Sequence, residues 1–512
     1  MELNEKDIQT IIDSVLKNVE AAIDPKETQH TGGQKQQHMK MKQLSSALGS
    51  NQSYAVSHRS NQNGVFDSVD DAIEAAQVAQ QKWMNQYKLA DKENIIQAIR
   101  QAVKEKVQYF AKTALEETGI GNYEDKIEKL SLTVEKTPGT EILETETFSG
   151  DDGLTFVEQT PFGVIGAVTP VTNPIDTIVN NGISMIAAGN AVVFNVHPSA
   201  KNGSREMIQL LNQTIVKAGG PENLLTMVKE PTIETVQKIA NHSSVKLLTG
   251  TGGPGMVKSL LRSGKKAIGA GAGNPPVIVD ETADLSQAAK DIVEGASFDN
   301  NLLCIAEKEV FVVDQVADDL IFELLNQNVY MLDHQQLEKV MNLTLKENTE
   351  GIPGGCSYLS REYLVAKEWV GKDASRILEQ IGVTDVQTKL LICEVDANHP
   401  YVQLEQLMPI LPIVRVKSID EAIERAVAAE HGNRHTAVMH SNHIGNVTKF
   451  AKSIGTTIFV NNGSSLSGVG FRGEGFTTMT IAGPTGEGVT SARTFTRQRR
   501  TVIASGGFNI RG

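Results

Sequence analysis

Apolar positions recur every three or four residues at the start of this chain: Leu3, Ile8, Ile11, Ile12, Val15, Leu16, Val19 and Ile23. That spacing places them on one stripe and predicts a short amphipathic helix over 3–23, stopped at Asp24-Pro25. Residues 24–63 are Gln, Ser, Asn, His, Lys and Gly with little to bury, and read as a flexible linker. A striped helix on such a tether has no easy place in the main core. It suits a docking or encapsulation tag that lays its stripe on a partner, or else a helix that folds back on its own subunit or pairs with another copy.

The globular part opens at Gly64-Val65-Phe66. Amphipathic helices are expected at 69–88 and 91–118. From residue 162 short apolar runs alternate with helical patterns. Strands are expected at 163–168, 191–194, 224–228 and 245–248, with helices after Pro174, after Ala200 and from Thr232. Short apolar strands joined by helical crossovers predict an α/β fold with a parallel sheet covered on both faces. A second series of this kind runs from Val277 to about 460. Thr140–Gln159 reads as a hairpin turning at Ser149–Gly153, and Phe495–Ile503 as a further strand; both are expected to project from the body.

Composition narrows the function. With 512 residues the chain is long enough for two or three domains or one large α/β unit. Its net charge of −13 argues against nucleic acid as the main partner, because phosphate binding needs a basic face. Three scattered cysteines make no disulfide framework, and no CxxC pair points to zinc, so a reducing, cytoplasmic setting is expected. No apolar run approaches the ~20 residues that span a bilayer, and the charged start does not read as a secretory signal.

Several segments could carry chemistry. Gly250-Thr251-Gly252-Gly253-Pro254-Gly255 follows a strand and precedes a helix, as a dinucleotide loop does, although a glycine-rich structural turn reads the same. Ala267–Pro276 has almost no side chains and suits close approach by a ligand or another backbone, a domain hinge, or both. Thr169-Pro170-Val171-Thr172-Asn173-Pro174 ends the first strand of the series, where α/β sheets bind ligands. Asn173 there is either an oxyanion donor or a helix cap. Among the cysteines, Cys393 lies in a strand-like apolar run and Cys356 in a Gly-rich loop. Cys304 follows a polar Asp-Asn-Asn turn, a setting that suits a nucleophile as well as an inert thiol. His431, His435 and His440 cluster, but their spacing fits no metal motif, and no metal is expected.

Taken together, the segments resemble the aldehyde dehydrogenase superfamily over about 64–512, and within it the CoA-acylating branch found in bacterial microcompartments. The resemblance rests on Pro161–Gly166, Thr249–Gly255, Gly264–Asp284, Ser297–Lys308, Glu405–Pro409 and Phe471–Gly475 through Pro484–Gly488. It implies a Rossmann-type cofactor domain over 64–139 and 160–276 and a catalytic domain over 277–460. It further implies a return to the cofactor domain over 461–489 and oligomerisation segments at 140–159 and 490–512. Cys304 is then the nucleophile that carries a thioester, with NAD taking the hydride and coenzyme A the acyl group. The superfamily's oxyanion-holding Asn aligns with Thr172, one place before Asn173, and Asn173 is the residue chosen here. Cofactor contacts are expected from Thr169, Pro170, His197, Pro198, Thr249, Gly250, Thr251, Gly252, Gly253, Gly271, Ala272 and Glu405, the last holding the nicotinamide ribose.

Two departures from the hydrolytic relatives stand out. The Glu that activates water there aligns with Ala270, so attack by water should be slow and attack by CoA favoured. The Lys and Glu that hold the adenosine ribose align with Asn195 and Pro198, so the groove is altered, and CoA and NAD are expected to occupy it in turn. The expected substrates are short-chain aldehydes (acetaldehyde, propionaldehyde or lactaldehyde), in a pocket that includes Val171, Ile175 and Ser464–Ser467. The expected partners are microcompartment proteins bound through residues 1–23 and further copies of the chain, as a dimer or tetramer. The alternatives are a hydrolytic dehydrogenase and a non-catalytic microcompartment-associated protein.

Overall fold

The structure, a computed structural model, describes residues 63–348 and 363–508. The helix expected at 3–23, nearly all of the linker and Cys356 lie outside the described residues.

The described part opens with β1 (Val65–Phe66) and a layer of helices: α1 (Val69–Gln86), α2 (Leu89–Lys104), α3 (Val107–Thr118) and α4 (Tyr123–Lys136). In α1 the buried stripe is Val69, Ala72, Ile73, Ala76, Ala79 and Trp83, the three-four spacing visible in the sequence. The single helix expected over 91–118 is two helices, because the chain breaks at Glu105-Lys106. Helix α4 was not expected at all. Asn122 caps it, its Oδ1 accepting from the Glu124 and Asp125 N–H groups. Its buried stripe contains two lysines, Lys126 and Lys129.

An antiparallel pair follows, β2 (Glu146–Gly150) and β3 (Gly153–Pro161), joined near the end of the chain by β20 (Thr496–Ala504). The hairpin begins at 146 rather than 140, since Thr140–Ile142 form a helical turn.

Next come β4 (Val164–Val168), α5 (Pro174–Ala187), β5 (Ala191–Asn195), α6 (Lys201–Lys217), β6 (Leu225–Val228) and α7 (Ile233–Asn241). The set closes with β7 (Val245–Thr251), α8 (Pro254–Leu261) and β8 (Ala267–Ala270). The six-stranded sheet has the order β1-β6-β5-β4-β7-β8 and is parallel throughout. From β4 the chain winds outward to β5 and β6, then crosses back to β7 and β8 on the other side. The winding therefore reverses between β4 and β7, and a crevice opens beyond their carboxyl ends. Helix α5 is buried along its whole length, so it carries no polar face to solvent.

A short segment, 271–275, leads directly into the second sheet. Its strands are β9 (Pro276–Val279), β10 (Glu309–Val313), β11 (Val329–Met331), β14 (Leu390–Glu394), β15 (Ile410–Val416), β16 (Thr436–His440) and β17 (Ile458–Asn461). They pair in the order β11-β14-β15-β10-β9-β16-β17, all parallel. Helix α9 (Leu285–Ser297) connects β9 to β10. Two short pairs, β12 (Leu345–Glu347) with β13 (Tyr363–Val365) and β18 (Ile481–Ala482) with β19 (Gly488–Val489), complete the strands. Each large sheet has its own apolar core.

Candidate active site between the two sheets

Between α9 and β10 the backbone makes an unusual turn. Asp299, Asn300 and Asn301 have φ of 48°, 55° and 65°, three consecutive residues in the left-handed region. That region costs an L residue ~1–2 kcal/mol, and Asp and Asn tolerate it best because their short polar side chains bond locally. Here every one of the three side chains is tied down. Asp299 accepts from the Asn122 N–H at 2.8 Å and from Lys126 and Lys129 at 3.2 and 2.5 Å. Asn300 donates to the Gly371 carbonyl and to Asp373. Asn301 donates to the carbonyls of Ala296 and Glu307. Buried Lys308 donates to the Asn301 carbonyl at 3.0 Å, to the Asn301 side chain and to the Leu303 carbonyl at 3.2 Å.

Cys304 leaves this turn partly exposed. Burial, and then the nearby Glu405 carboxyl, push its thiol up to about 12; Lys308 and the backbone N–H groups of Cys304 and Ile305 pull the other way. In the absence of ligands the sulfur is thus mostly protonated. Cys393, by contrast, is fully buried in β14.

Cys304 lines an apolar pocket with free space of about 460 Å³, part of it open to solvent. The walls are Leu132, Phe298, Leu466, Val469, Phe471, Met479 and Ile481, and the polar groups are Lys129, Asn173 and Thr478. No carboxylate is among the lining residues. Of the expected pocket residues only Leu466 lines it; Val171, Ile175, Ser464, Ser465 and Ser467 do not. Asn173 stands at the N-cap position of α5 but its side chain makes no capping bond. Instead its Oδ1 accepts from Lys129 Nζ at 2.7 Å, which leaves Nδ2 with a long 3.3 Å contact to Thr172 Oγ1. The second N–H of Nδ2 has no partner among the described residues and is open to an oxyanion. Thr172 does not line the pocket.

The side-chain-poor segment between the sheets runs close to Cys304. A Cβ on Gly273 would lie 2.4 Å from the Cys304 carbonyl oxygen and 3.0 Å from the His435 ring, so only glycine fits. The Gly273 N–H donates to Glu405 Oε1 at 3.2 Å. Crowded surroundings raise the Glu405 carboxyl above its ordinary value, against the pull of Lys308 and this bond. Ala270 ends β8 with its methyl group buried, while Gly271 and Ala272 are partly exposed. His435 is buried, its Nδ1 beside Thr436 Oγ1 at 2.9 Å and its Nε2 without a partner. Burial, then Lys308, pull its pKa down to about 4. His431 Nε2 lies 3.0 Å from the Gln403 carbonyl and His440 sits inside β16.

The crevice beyond β4 and β7 receives Thr169 and Pro170 from one strand and Thr251, Gly252 and Gly253 from the other. Thr249 and Gly250 are buried within β7, where a Cβ on Gly250 would lie 2.4 Å from Leu260 of α8. That glycine serves helix–strand packing, while Gly253 has open space around it. Thr169 Oγ1, just beyond β4, and Thr249 Oγ1, near the end of β7, are buried without hydrogen-bond partners among the described residues. Polar atoms left orphaned where the winding reverses fit a dinucleotide bound there. His197 is half-buried, its Nδ1 accepting from the Ser199 N–H, and Pro198 is exposed beside it. Asn195 is engaged by Thr235 Oγ1 at 2.5 Å.

The family model described as "Aldehyde dehydrogenase family" matches residues 52–349. The chain belongs to the aldehyde dehydrogenase family. The acetylating acetaldehyde dehydrogenase EutE of Salmonella typhimurium is 48% identical over 442 residues, 86% of this chain and 92% of that protein. The CoA-propanoylating propanal dehydrogenase of Citrobacter freundii is 45% identical over 451 residues, 88% of this chain and 94% of that protein. A propionaldehyde dehydrogenase from Rhodopseudomonas palustris, solved with bound CoA and an acylated cysteine, superposes with a TM-score of 0.83 at 49% identity, covering 88% of this chain and 100% of that one. The propionaldehyde dehydrogenase of a Clostridium phytofermentans fucose utilisation microcompartment gives 0.82 at 47%, with coverage of 88% and 100%.

Three residues of this candidate site were given no role in the sequence, Lys129, Asp299 and Lys308, and His435 was read only as one of a histidine cluster. Lysines in a helix and an Asp before two Asn normally read as solvated, and only their burial makes them informative. The one available signal was the Asp-Asn-Asn run itself, the residue types best suited to a left-handed turn.

Proposed function

We propose that this protein is a CoA-acylating aldehyde dehydrogenase that converts a short-chain aldehyde, NAD and CoA to acyl-CoA and NADH. The observation that carries the reading is a pocket lined by the Cys304 thiol and the Asn173 amide, with no carboxylate among its lining residues. The Cys304 sulfur attacks the aldehyde carbon, and the oxygen takes up the charge. Asn173 Nδ2 and the Cys304 backbone N–H hold that charge. A bound nicotinamide dinucleotide supplies the hydride acceptor, and Thr169, Pro170, Thr249, Thr251, Gly252, Gly253, His197, Pro198, Gly271, Ala272 and Glu405 are the residues assigned to hold it, Glu405 at the ribose. Loss of hydride leaves a thioester on Cys304. With only a methyl at Ala270 no base is provided there for water, so the CoA sulfur attacks the thioester carbon and the Cys304 thiolate departs. CoA and the dinucleotide are assigned the same groove in turn.

The apolar walls suit an unbranched acyl chain such as that of propionaldehyde or acetaldehyde. The exposed β2 edge and the apolar side chains of Phe148 and Val502 support self-association through the sheet of β2, β3 and β20. Residues 1–23 are assigned as the address that brings the enzyme to a microcompartment shell or core protein, in keeping with the origin of the Clostridium relative.

NADH formation from propionaldehyde with CoA tests the enzyme reading, and Cys304→Ala should abolish it in a folded protein. Omitting CoA should stop sustained turnover, whereas undiminished turnover without CoA would assign a hydrolytic enzyme. Deleting residues 1–23 should leave activity unchanged but release the enzyme from shells; unchanged co-sedimentation with shells would refute the address.

A further inference from the structure

The pocket that holds Cys304 and Asn173 also contains a buried ammonium that the reaction just described leaves without a role. Lys129 is 2% exposed, on the inner face of α4. Its Nζ lies 2.5 Å from Asp299 Oδ2, 2.7 Å from Asn173 Oδ1 and 3.8 Å from Asp176 Oδ2. Burial opposes its charge, but Asp299 and Asp176 outweigh burial and keep it protonated. The ammonium therefore has only donors to offer.

We propose that Lys129 is a positioning residue for acyl transfer: its ammonium can donate only to the oxygen end of the Asn173 amide, so it turns Nδ2 toward the aldehyde oxygen at Cys304. This inference rests on the oxyanion role of Asn173 given above. An amide rotated by half a turn would set its own N–H groups against the ammonium N–H that now meets Oδ1, and that orientation is closed off. The same Nζ is anchored on Asp299, the first residue of the left-handed turn that presents Cys304. One cation thus ties the oxyanion donor of the first lobe to the nucleophile turn of the second. Lys126 shares Asp299 at 3.2 Å but makes no bond to Asn173, so it cannot substitute.

Replacing Lys129 alone would unbalance a buried cluster, so the test is made in an Asp176→Asn background, which removes one negative charge together with the positive one. Lys129→Met and Lys129→Gln remove the same charge, but only Gln keeps a donor for Asn173 Oδ1. Relative to Asp176→Asn, the Met variant should lose roughly tenfold to hundredfold in kcat for NADH formation with the aldehyde KM within about threefold, a loss bounded by that of one oxyanion donor. The Gln variant should recover most of it. In an Asn173→Ala background Lys129→Met should cost no more than about twofold further. Equal losses for Met and Gln, or a full further loss in the Asn173→Ala background, would overturn the positioning role. If Asn173→Ala itself leaves kcat unchanged, the oxyanion assignment is what fails, and the Lys129 role falls with it.

Discussion

Gly273→Ala adds one methyl group at the point where the inter-sheet segment meets Cys304. Gly273 does not have a positive φ, so alanine meets no backbone strain there and the effect is purely steric. The new Cβ would lie 2.4 Å from the Cys304 carbonyl oxygen and 3.0 Å from His435 Cγ, where ordinary contact begins at 3.4 Å. Relief requires a displacement of about 1 Å between the segment and Cys304, and a misplacement of that size costs on the order of a hundredfold in rate. That corresponds to ~2.7 kcal/mol in the barrier. The accompanying overpacking should cost about 1–3 kcal/mol of stability, small enough for the protein to stay folded. The assay is kcat for NADH formation at saturating propionaldehyde, NAD and CoA, with circular dichroism to verify folding. Gly150→Ala, at the turn of the β2–β3 hairpin, is the control, because nothing lies within 4 Å of the added Cβ, and its kcat should match the wild type. A folded Gly273→Ala enzyme with kcat within about threefold of wild type would refute the steric coupling of this segment to the nucleophile.

Alkylation of unliganded Cys304 should be slow near neutral pH. With the thiol pushed up to about 12, about one sulfur in ten thousand is thiolate at pH 8, and the rate should climb about tenfold per pH unit. Iodoacetamide labelling followed on the Cys304 peptide checks this, and a plateau reached near pH 8 would contradict it. Asp299→Asn should destabilise the protein by ~3–5 kcal/mol, because it leaves Lys126 and Lys129 buried without their shared carboxylate. Urea unfolding should register a lower midpoint together with a fall in kcat as the turn before Cys304 loosens; a loss below ~1 kcal/mol would mean that Asp125 and Asp176 suffice to hold the two lysines.

The local pattern of the chain already contained most of its elements. Apolar strand runs such as Val164–Val168 and Ala191–Asn195, separated by helical spacing, leave a parallel sheet as the simplest way to bury them, and the structure has that sheet. Local context set Cys304, which follows a polar turn, apart from Cys393 in its apolar run, but left an inert thiol open; the nucleophile's role came from the resemblance to the family. Boundaries that depend on one backbone break, such as Glu105-Lys106, were not legible, since no Gly or Pro marks that break.

What only the tertiary structure decided is which charged groups lie inside. Tyr123–Lys136 reads as a polar, solvated stretch, yet Lys126 and Lys129 are buried because Asp299 meets them from 173 and 170 residues away. The cost of burying these ammonium groups is offset chiefly by that partner, with Asp176 beside Lys129, and nothing local to α4 announces it. In the same way Gly273 could be read as a position of close approach, but not that Cys304 is what approaches it. The sequence by itself determined most of the elements, because propensity and periodicity act between near neighbours, and it singled out one candidate thiol. The orientation of Asn173, the strained turn and the lysine between them came from contacts between the two lobes, and those exist only once both sheets have formed.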